Sequence, residues 1–501
     1  MEYMTALDRL KEYINKMNRY SHVTELLYWD MRTCMPQEGF EGHSDAMTEF
    51  STERFKMATS DELFEMLNEL SEPEAFAELD DTWKFIVRRM KRSIDEDRRI
   101  PEEFYREYVK EQTESEMAWE QAKRASDFSL YAPHLEKMIA MTKEKIHYVF
   151  PDKEVYDALV NEYEEGMDTA TIDCLFDSLK KDLVPLVQKI LSAKQPDDTK
   201  FQRKYGLDGQ RRVERLLLDY IGFSFEKGTT GESEHPFTLN LSSKDVRVTN
   251  HFREDNVIDP MFSAIHEGGH AIFEQNVKPE FDGTVAGSCQ YLGVHESQSR
   301  FYENVIGRRK SFWEPIYDKV QAEIPELSDV SLDEFVKEIN HIRNSFIRIE
   351  ADEVTYCLHV ILRYEIEKAI FRDNVPVSEL PTLWNQKMQE YLMITPANDA
   401  EGILQDMHWS DGSFGYFPSY LLGSIYDGMF LDAMMAELGD VDELLRAGRI
   451  KDITKWLNEK IHQYGSTRLP KEVISAVCGK EVSSEPLMRY FTEKYTQIYN
   501  L

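Results

Sequence analysis

Residues 263–272 read SAIHEGGHAI, with His266 and His270 four positions apart and Glu267 beside the first. On an α-helix, residues four apart are neighbours on one face, with Cβ atoms about 5–6 Å apart. Both imidazoles can therefore converge on one cation. Glu267 is rotated away from the pair, so it is better placed to reach a water molecule than to bind the cation. One helical turn thus carries two candidate ligands and a candidate general base, the HExxH pattern.

Two consecutive glycines, Gly268 and Gly269, lie inside this helical turn. Each glycine in a helix interior costs about 1 kcal/mol relative to alanine. A pair in the middle of a helix therefore predicts that another segment approaches the backbone closely.

A catalytic zinc site needs a third protein ligand and one open position. Glu296, 26 residues after His270 in the stretch HESQSR, is the candidate that geometry favours. Glu303 on the same predicted helix and Glu274 directly after the motif are the alternatives. Glu274 would form a straight line with the two histidines, which suits a tetrahedron badly. Glu296 also has a purely structural interpretation, because Arg300 is its i+4 neighbour and the two can form a salt bridge.

The composition is strongly acidic and excludes several classes of function. The 501 residues contain 59 Lys and Arg against 92 Asp and Glu, a formal charge of −33. Such a chain is repelled by nucleic acid and by anionic membranes. No apolar run approaches the roughly 18 residues of a membrane span. Residues 1–20 have the spacing of a surface helix rather than the basic start and apolar core of a signal peptide.

Five cysteines are scattered through the sequence without a CxxC pair, at Cys34, Cys174, Cys289, Cys357 and Cys478. An odd, dispersed set in a long chain predicts reduced thiols and a cytoplasmic location. We expect each to be a small buried apolar residue.

The pattern of apolar residues predicts a mainly α-helical protein, with a small sheet beside the HExxH helix. Helical spacing runs over residues 101–125, 136–148, 170–193, 331–350 and 354–371, and loops are expected at 192–201 and 226–236. Residues 237–252 alternate apolar and polar positions around SSKD, which predicts a hairpin. We predict one unit over 1–501, with a helical lobe (1–225), a motif-bearing catalytic core (226–430) and a C-terminal helical part (431–501).

Six short motifs follow one another in a fixed order: HPF (235–237), DVRVT (245–249), HEGGH (266–270), HESQ (295–298), IRIEAD (347–352) and GILQDMHW (402–409). This set resembles that of the Taq metallocarboxypeptidase family of HExxH enzymes. The resemblance implies a large helical body with a deep groove and release of single C-terminal amino acids from peptides with broad specificity. It also implies one zinc or cobalt ion per chain and a cytoplasmic homodimer.

Matching these motifs residue by residue implies that His266, His270 and Glu296 are the metal ligands and Glu267 the general base. The choice of Glu296 as the third ligand is thus made by the resemblance. A His-His-Glu set accepts zinc, cobalt or manganese.

An enzyme that acts on free C-termini must recognise a carboxylate, and arginine does so with two parallel hydrogen bonds. Arg348 is our candidate for this clamp, and Arg247 is the second choice. On a helix Arg348 would instead be free to form an i, i+4 salt bridge with Asp352.

Two further motifs carry polar side chains that we expect near the substrate. Gln405 and His408 are candidates for binding the peptide carbonyl or the terminal carboxylate, or else belong to a polar network that supports a loop. Asp245, Arg247 and Thr249 alternate with valines, so on a strand they share one face. That face can hold substrate or support the ligands, or it can simply be solvated.

Tyr420, in SDGSFGYFPSYLLG, is the candidate donor to the oxyanion, and Tyr416 competes with it. A phenol in this position can contribute on the order of 3 kcal/mol. Two other functions remain open: an oligopeptidase or dipeptidyl carboxypeptidase using the same metal, and a helical peptide-binding protein with a structural zinc.

Overall fold

The computed structural model describes residues 5–287 and 290–501, so Cys289 lies outside the described residues. The N-terminal half contains α1 (Ala6–Thr33), α2 (Phe40–Ala58), α3 (Asp61–Ser71), α4 (Pro73–Ala77), α5 (Asp81–Asp97), α6 (Glu102–Ala125), α7 (Ala132–Val149), α8 (Val155–Tyr163), α9 (Thr169–Ser192) and α10 (Leu207–Ile221), followed by strands β1 (Gly228–Glu232), β2 (Thr238–Ser242) and β3 (Asp245–Asn250).

The remainder is helical and contains α11 (Ile258–Asn276), α12 (Leu292–Arg300), α13 (Lys310–Trp313), α14 (Tyr317–Glu323), α15 (Leu332–Ile339), α16 (Thr355–Phe371), α17 (Leu380–Leu392), α18 (Phe417–Leu438), α19 (Val441–Arg446), α20 (Ile450–Lys460), α21 (Pro470–Cys478) and α22 (Glu485–Tyr499). The mainly α fold class is therefore confirmed.

The small sheet lies beside α11, as predicted. Strands β2 and β3 form the predicted antiparallel hairpin, with Thr238 opposite Val248. The prediction of a loop over 226–236 is wrong, because β1 within it pairs in parallel with β3. The sequence of β1 shows no alternation of apolar and polar residues. Its position in the sheet is set by backbone hydrogen bonds to β3, further along the chain. Val246 and Val248 are fully buried, so the polar side chains that alternate with them lie on the opposite face of β3.

The helix predicted over 331–350 is too long, since α15 ends at Ile339. The side chain of Asn340 donates to the carbonyls of Val336 and Arg308, which satisfies backbone acceptors at the helix end. An irregular segment follows, and Arg348 lies in a single 3₁₀ turn. Arg348 and Asp352 are therefore not on one helical face, and the predicted i, i+4 pair is wrong.

Asp352 instead caps the start of α16, accepting from the backbone N–H groups of Val354 and Thr355 at 2.9 Å each. The other predicted helices correspond to α6, α7, α9 and α16, with ends that differ by at most four residues from the prediction. Residues 6–20 of the predicted helix over 1–20 form the first part of α1, which buries Leu10 and Ile14, and residues 1–4 lie outside the described residues.

One large hydrophobic core contains residues from Leu10 to Tyr499. The domain boundaries remain a prediction. In the described ranges, no helix combines the length and apolarity needed to cross a bilayer.

The described cysteines have free thiols, but Cys34 and Cys174 are exposed, so the expectation of burial is wrong for these two. Cys34 is the C-cap of α1, where the helix leaves the core and its thiol donates to Asp30.

Candidate active site

Three side chains meet at the floor of a deep cavity. His266 and His270 project from α11 and Glu296 from α12, and one donor atom of each lies within 4.8 Å of the other two. Glu296 Oε2 is 3.8 Å from His266 Nε2 and 3.5 Å from His270 Nε2. Ligands of a tetrahedral zinc ion at about 2.0–2.1 Å are about 3.3 Å apart, so the two imidazoles and the carboxylate fit a divalent cation.

The paired glycines explain how the helices approach so closely. A Cβ on Gly269 would lie 2.7 Å from the carbonyl oxygen of Gln298 and 2.7 Å from Ser299 Cα, both on α12. A Cβ on Gly268 would lie 2.7 Å from the side chains of Leu218 and Ile221 on α10. The predicted close approach is confirmed on both sides of α11, and Gly269 lets α12 bring Glu296 to the histidines.

The alternative ligands Glu303 and Glu274 support histidines instead. Glu303 lies in a π-helical segment (Phe301–Ile306) that continues α12. Its Oε2 is 2.8 Å from His266 Nδ1, and Arg308 donates to its other oxygen. A carboxylate on the outer nitrogen fixes the tautomer of a metal-binding histidine. Glu274 Oε1 is 2.8 Å from His295 Nε2.

The charges around the site favour a cation. Burial lowers the pKa of His266, but the hydrogen bond to Glu303 and the charges of Glu296 and Glu303 outweigh it and raise that pKa to about 9. Burial and the neighbouring His295 lower the pKa of His270 to about 3. Burial raises the pKa of Glu296, but His270 and Arg300 reverse this and hold it below its usual range. The negative charge that favours a proton on His266 is equally available to a divalent cation in its place.

Glu267 points to the same cavity but is not part of the ligand set. Thr238 on β2 donates to Glu267 Oε2 at 2.7 Å. Burial raises the pKa of this carboxyl, which strengthens it as a base when ionised. The strand thus positions the candidate base from the side opposite α12.

A second group of possible metal ligands, Asp198, Glu338 and His341, lines another wall of the cavity. Arg343 donates to Glu338 at 2.7 Å and to Asp198 at 3.3 Å. A guanidinium already balances these carboxylates, so this group does not resemble the His-His-Glu site.

The cavity has a volume of about 1260 Å³ and is lined at one end by the candidate metal ligands and at another by Arg348, Tyr356, Tyr416 and Tyr420. Arg348 donates to Asp406 through Nε (3.1 Å) and Nη2 (2.9 Å) and to the Tyr356 hydroxyl through Nη1 (2.8 Å). Within residues 5–287 and 290–501, these bonds use three of its five N–H groups. One N–H on each terminal nitrogen is left, which is the fork that a carboxylate accepts.

Other sequence-predicted residues lie behind this wall. Gln405 accepts from the backbone N–H of Arg348 at 3.0 Å and from Arg363 at 2.7 Å, and its amide donates to two carbonyls at 2.8 Å. His408 packs on Phe417, with ring centroids 4.6 Å apart, and burial lowers its pKa to about 4. Arg247 lies elsewhere, on β3, where it binds Asp245 at 2.9 Å and lies over the ring of Trp29 from α1.

One of the two candidate tyrosines, Tyr420, lies beside Arg348, whose guanidinium carbon is 4.9 Å from the centroid of the Tyr420 ring. The rings of Tyr416 and Tyr420 are 5.2 Å apart. Burial raises the pKa of Tyr420 well above its usual value, so its hydroxyl keeps the proton that it would donate.

Sequence reasoning missed Asp406 as the partner of Arg348 and Thr238 as the partner of Glu267. Asp406 lies between Gln405 and His408 in the GILQDMHW motif, and its negative charge could have indicated a partner for Arg348. No local pattern indicates Thr238, because its contact with Glu267 joins residues 29 positions apart.

Comparisons with known proteins identify the family. The profile of the carboxypeptidase Taq (M32) metallopeptidase family matches residues 9–495. "Carboxypeptidase 1" of Bacillus subtilis is 42% identical over 98% of this chain and 99% of its own length. "Thermostable carboxypeptidase 1" of Thermus thermophilus is 34% identical over 99% of each chain. The crystal structure of the M32 carboxypeptidase from Deinococcus radiodurans R1 superposes with a TM-score of 0.95 at 29% identity, covering 99% of this chain and 100% of that one. The chain therefore belongs to the carboxypeptidase Taq (M32) metallopeptidase family and is a metal-dependent carboxypeptidase, a hydrolase of peptide bonds.

Proposed function

We propose that this carboxypeptidase releases single amino acids from free peptide C-termini with broad specificity, using one zinc ion held by His266, His270 and Glu296. The observation that carries the proposal is that these ligands and Arg348 line one cavity. A cation-binding centre and a carboxylate-binding arginine are the two elements that an exopeptidase of this kind needs.

The reaction that fits these residues is attack of water on the last peptide bond. A divalent cation in this site supplies positive charge that acidifies a water molecule and polarises a carbonyl. Glu267 takes the proton from the water and passes it to the leaving amine. Tyr420 donates its hydroxyl proton to the oxygen that becomes negative, a role for which Tyr416 is the alternative.

Arg348 is the proposed clamp for the terminal carboxylate. It is buried in the cavity wall, and Asp406 and Tyr356 hold its guanidinium rigidly while leaving one N–H on each terminal nitrogen. Arg247 is a weaker candidate because, unlike Arg348, it is not among the described residues that line the cavity. We assign Gln405 and His408 to the support of Arg348 and of the tyrosines rather than to direct substrate contact.

Metal analysis combined with mass spectrometry of a digested peptide ladder tests the proposal. We expect about one zinc per chain, with cobalt or manganese able to replace it, and stepwise loss of single residues. Dipeptides or internal fragments would support the oligopeptidase alternative. Unfolding of the chain on removal of the metal, with no cleavage by the loaded protein, would support a structural zinc.

Location and assembly are part of the same proposal. The free thiols of the described cysteines support a cytoplasmic location. Homodimer formation is supported by exposed aromatic side chains on neighbouring helices: Phe55 of α2 and Tyr105 of α6 are 51% and 46% exposed and stack on each other. Sedimentation analysis of the full chain tests the dimer, and a monomer at micromolar concentration would contradict it.

A further inference from the structure

The two ligand histidines are held in different ways. His266 has the usual arrangement, because its Nδ1 is 2.8 Å from Glu303 Oε2. His270 Nδ1 is buried and has no hydrogen-bond partner in the part of the chain that the structure describes. Outer hydrogen bonds normally orient metal-binding imidazoles, so the orientation of the His270 ring must have another cause.

His295 lies flat against that ring. The centroids of the His270 and His295 rings are 4.5 Å apart and the planes are inclined by only 19°. This is an offset stack of the kind that aromatic rings favour. A ring held by a parallel neighbour cannot turn about its χ2 bond without losing that contact.

His295 is itself fixed on two sides by the helix that carries His270. Its Nε2 is 2.8 Å from Glu274 Oε1, and Asn240 of β2 donates to the other oxygen of that carboxylate. The edge of Phe273 contacts the His295 ring, with centroids 4.9 Å apart at 67°. Phe273 and Glu274 follow His270 by three and four residues, so all three lie on one face of α11.

We propose that His295 is a positioning residue for the metal ligand His270, orienting its imidazole by stacking where His266 relies on a hydrogen bond. This inference rests on the proposed metal site. Helices α11 and α12 thereby stabilise each other's side chains. Helix α12 supplies the ligand Glu296 and the stacking ring of His295. Helix α11 supplies Glu274 and Phe273, which fix the orientation of that ring.

The test measures metal affinity of the full chain by competition with a chelator, using Zn²⁺, and the visible absorption of the Co²⁺-loaded protein. We expect His295→Ala to weaken zinc binding by about 10- to 100-fold, the range for loss of a partner that orients a ligand, and to alter the Co²⁺ bands. His235→Ala is the matched control, because His235 lines the same cavity but belongs to neither group of possible metal ligands, and we expect it to bind zinc as the unmodified protein does.

A conservative variant separates stacking from general packing. Phenylalanine keeps a flat ring at position 295 but cannot bond Glu274, so His295→Phe is made together with Glu274→Gln to avoid an unpaired buried charge. We expect this double variant to bind zinc within about threefold of Glu274→Gln alone, because orientation by stacking is retained. The comparison of the double variant with Glu274→Gln also tests the proposed stacking role if His295→Ala does not fold, as judged by circular dichroism of the metal-free protein.

Two results would overturn the inference. One is unchanged zinc affinity and an unchanged Co²⁺ spectrum in a folded His295→Ala variant. The other is a double variant that binds zinc at least tenfold more weakly than Glu274→Gln alone. Failure of the proposed function would look different. Without the metal site the unmodified protein would bind no stoichiometric metal, and with another mode of cleavage it would bind zinc normally but release dipeptides or internal fragments.

Discussion

The two ends of the cavity have opposite electrostatic character. At the metal end, three carboxylates meet two guanidiniums: Glu267, Glu296 and Glu303 against Arg300 and Arg308. At the arginine end, two guanidiniums share one carboxylate, since Arg348 and Arg363 both donate to Asp406. The carboxylates at the first end favour a cation, and the guanidiniums at the second favour an anion. Under the proposed function, this difference helps to orient a peptide with its terminal carboxylate away from the metal ligands.

The ends are joined by Tyr356. Its hydroxyl accepts from Arg348 at 2.8 Å, and its ring lies under the guanidinium of Arg300, 3.9 Å from the centroid. Arg300 in turn donates to the ligand Glu296 at 2.8 Å. This path of contacts fixes the distance between the candidate metal ligands and the proposed clamp, and under the proposed function that distance sets how many residues are removed.

The largest expected effect comes from a substitution at the metal end alone. Glu267→Gln keeps the side-chain volume but removes the base, so we expect the turnover number to fall by about 100-fold or more with metal content unchanged. Steady-state kinetics and metal analysis measure the two quantities. Activity retained in a metal-loaded variant would remove Glu267 from its proposed role.

The next effect concerns the wall between the two ends. Tyr420→Phe removes the proposed oxyanion donor, and we expect about 100-fold lower turnover with little change in KM, since such a donor acts in the transition state. Tyr416→Phe is the matched control, expected to lose less than tenfold. The reverse order in kinetic measurements would transfer the role to Tyr416.

The third effect breaks the arginine end alone. Arg348→Ala removes charge-assisted bonds worth about 1.5–3 kcal/mol, so we expect kcat/KM for peptides with free C-termini to fall by about 10- to 150-fold. Arg363 still pairs with Asp406 in this variant. Arg343→Ala, on the same cavity, is the control and should change kcat/KM by less than threefold.

A complementary measurement uses the unmodified protein with C-terminally amidated peptides. These lack the negative charge that Arg348 is proposed to bind, so we expect them to be poor substrates. Equal cleavage of amidated and free peptides would exclude a carboxylate clamp at this end of the cavity.

The smallest expected effect tests whether the close packing of α11 against α12 is needed to form the metal site. Gly269→Ala places a methyl group 2.7 Å from backbone atoms of α12, and overpacking of this kind costs about 1–3 kcal/mol. We expect a lower melting temperature and weaker metal binding.

Gly42→Ala provides the opposite case, since Gly42 lies in α2. Among the described residues, apart from its chain neighbours and the backbone of its own helix, no atom lies within 4 Å of the added Cβ. There we expect stabilisation by about 0.4–1 kcal/mol, because alanine reduces the entropy of the unfolded chain. Equal destabilisation of both variants in thermal unfolding would mean that the contact with α12 is not the cause.

Much of the fold follows from local pattern. The helices α6, α7, α9 and α16 and the hairpin of β2 and β3 all have side-chain periodicity that marks a buried face. Strand β1 has no such signal, and over 331–350 the helical spacing continues past the end of α15. Strand β1 is held by backbone pairing with β3. Helix α15 ends where Asn340 donates to the carbonyl of Arg308 from another element.

The sequence by itself determined the helical class, the hairpin beside α11 and the histidine pair, because a spacing of two or four residues indicates which side chains share a face. The choice of Glu296 as the third candidate ligand came from the resemblance of the motifs to a known family. Only the tertiary structure decided that Glu303 and Glu274 support histidines, that Asp406 rather than Asp352 holds Arg348, and that His295 stacks on His270. Those contacts join segments far apart in the chain. Their geometry depends on how closely the helices pack, which at Gly269 and Gly268 is decided by the absence of a single methyl group.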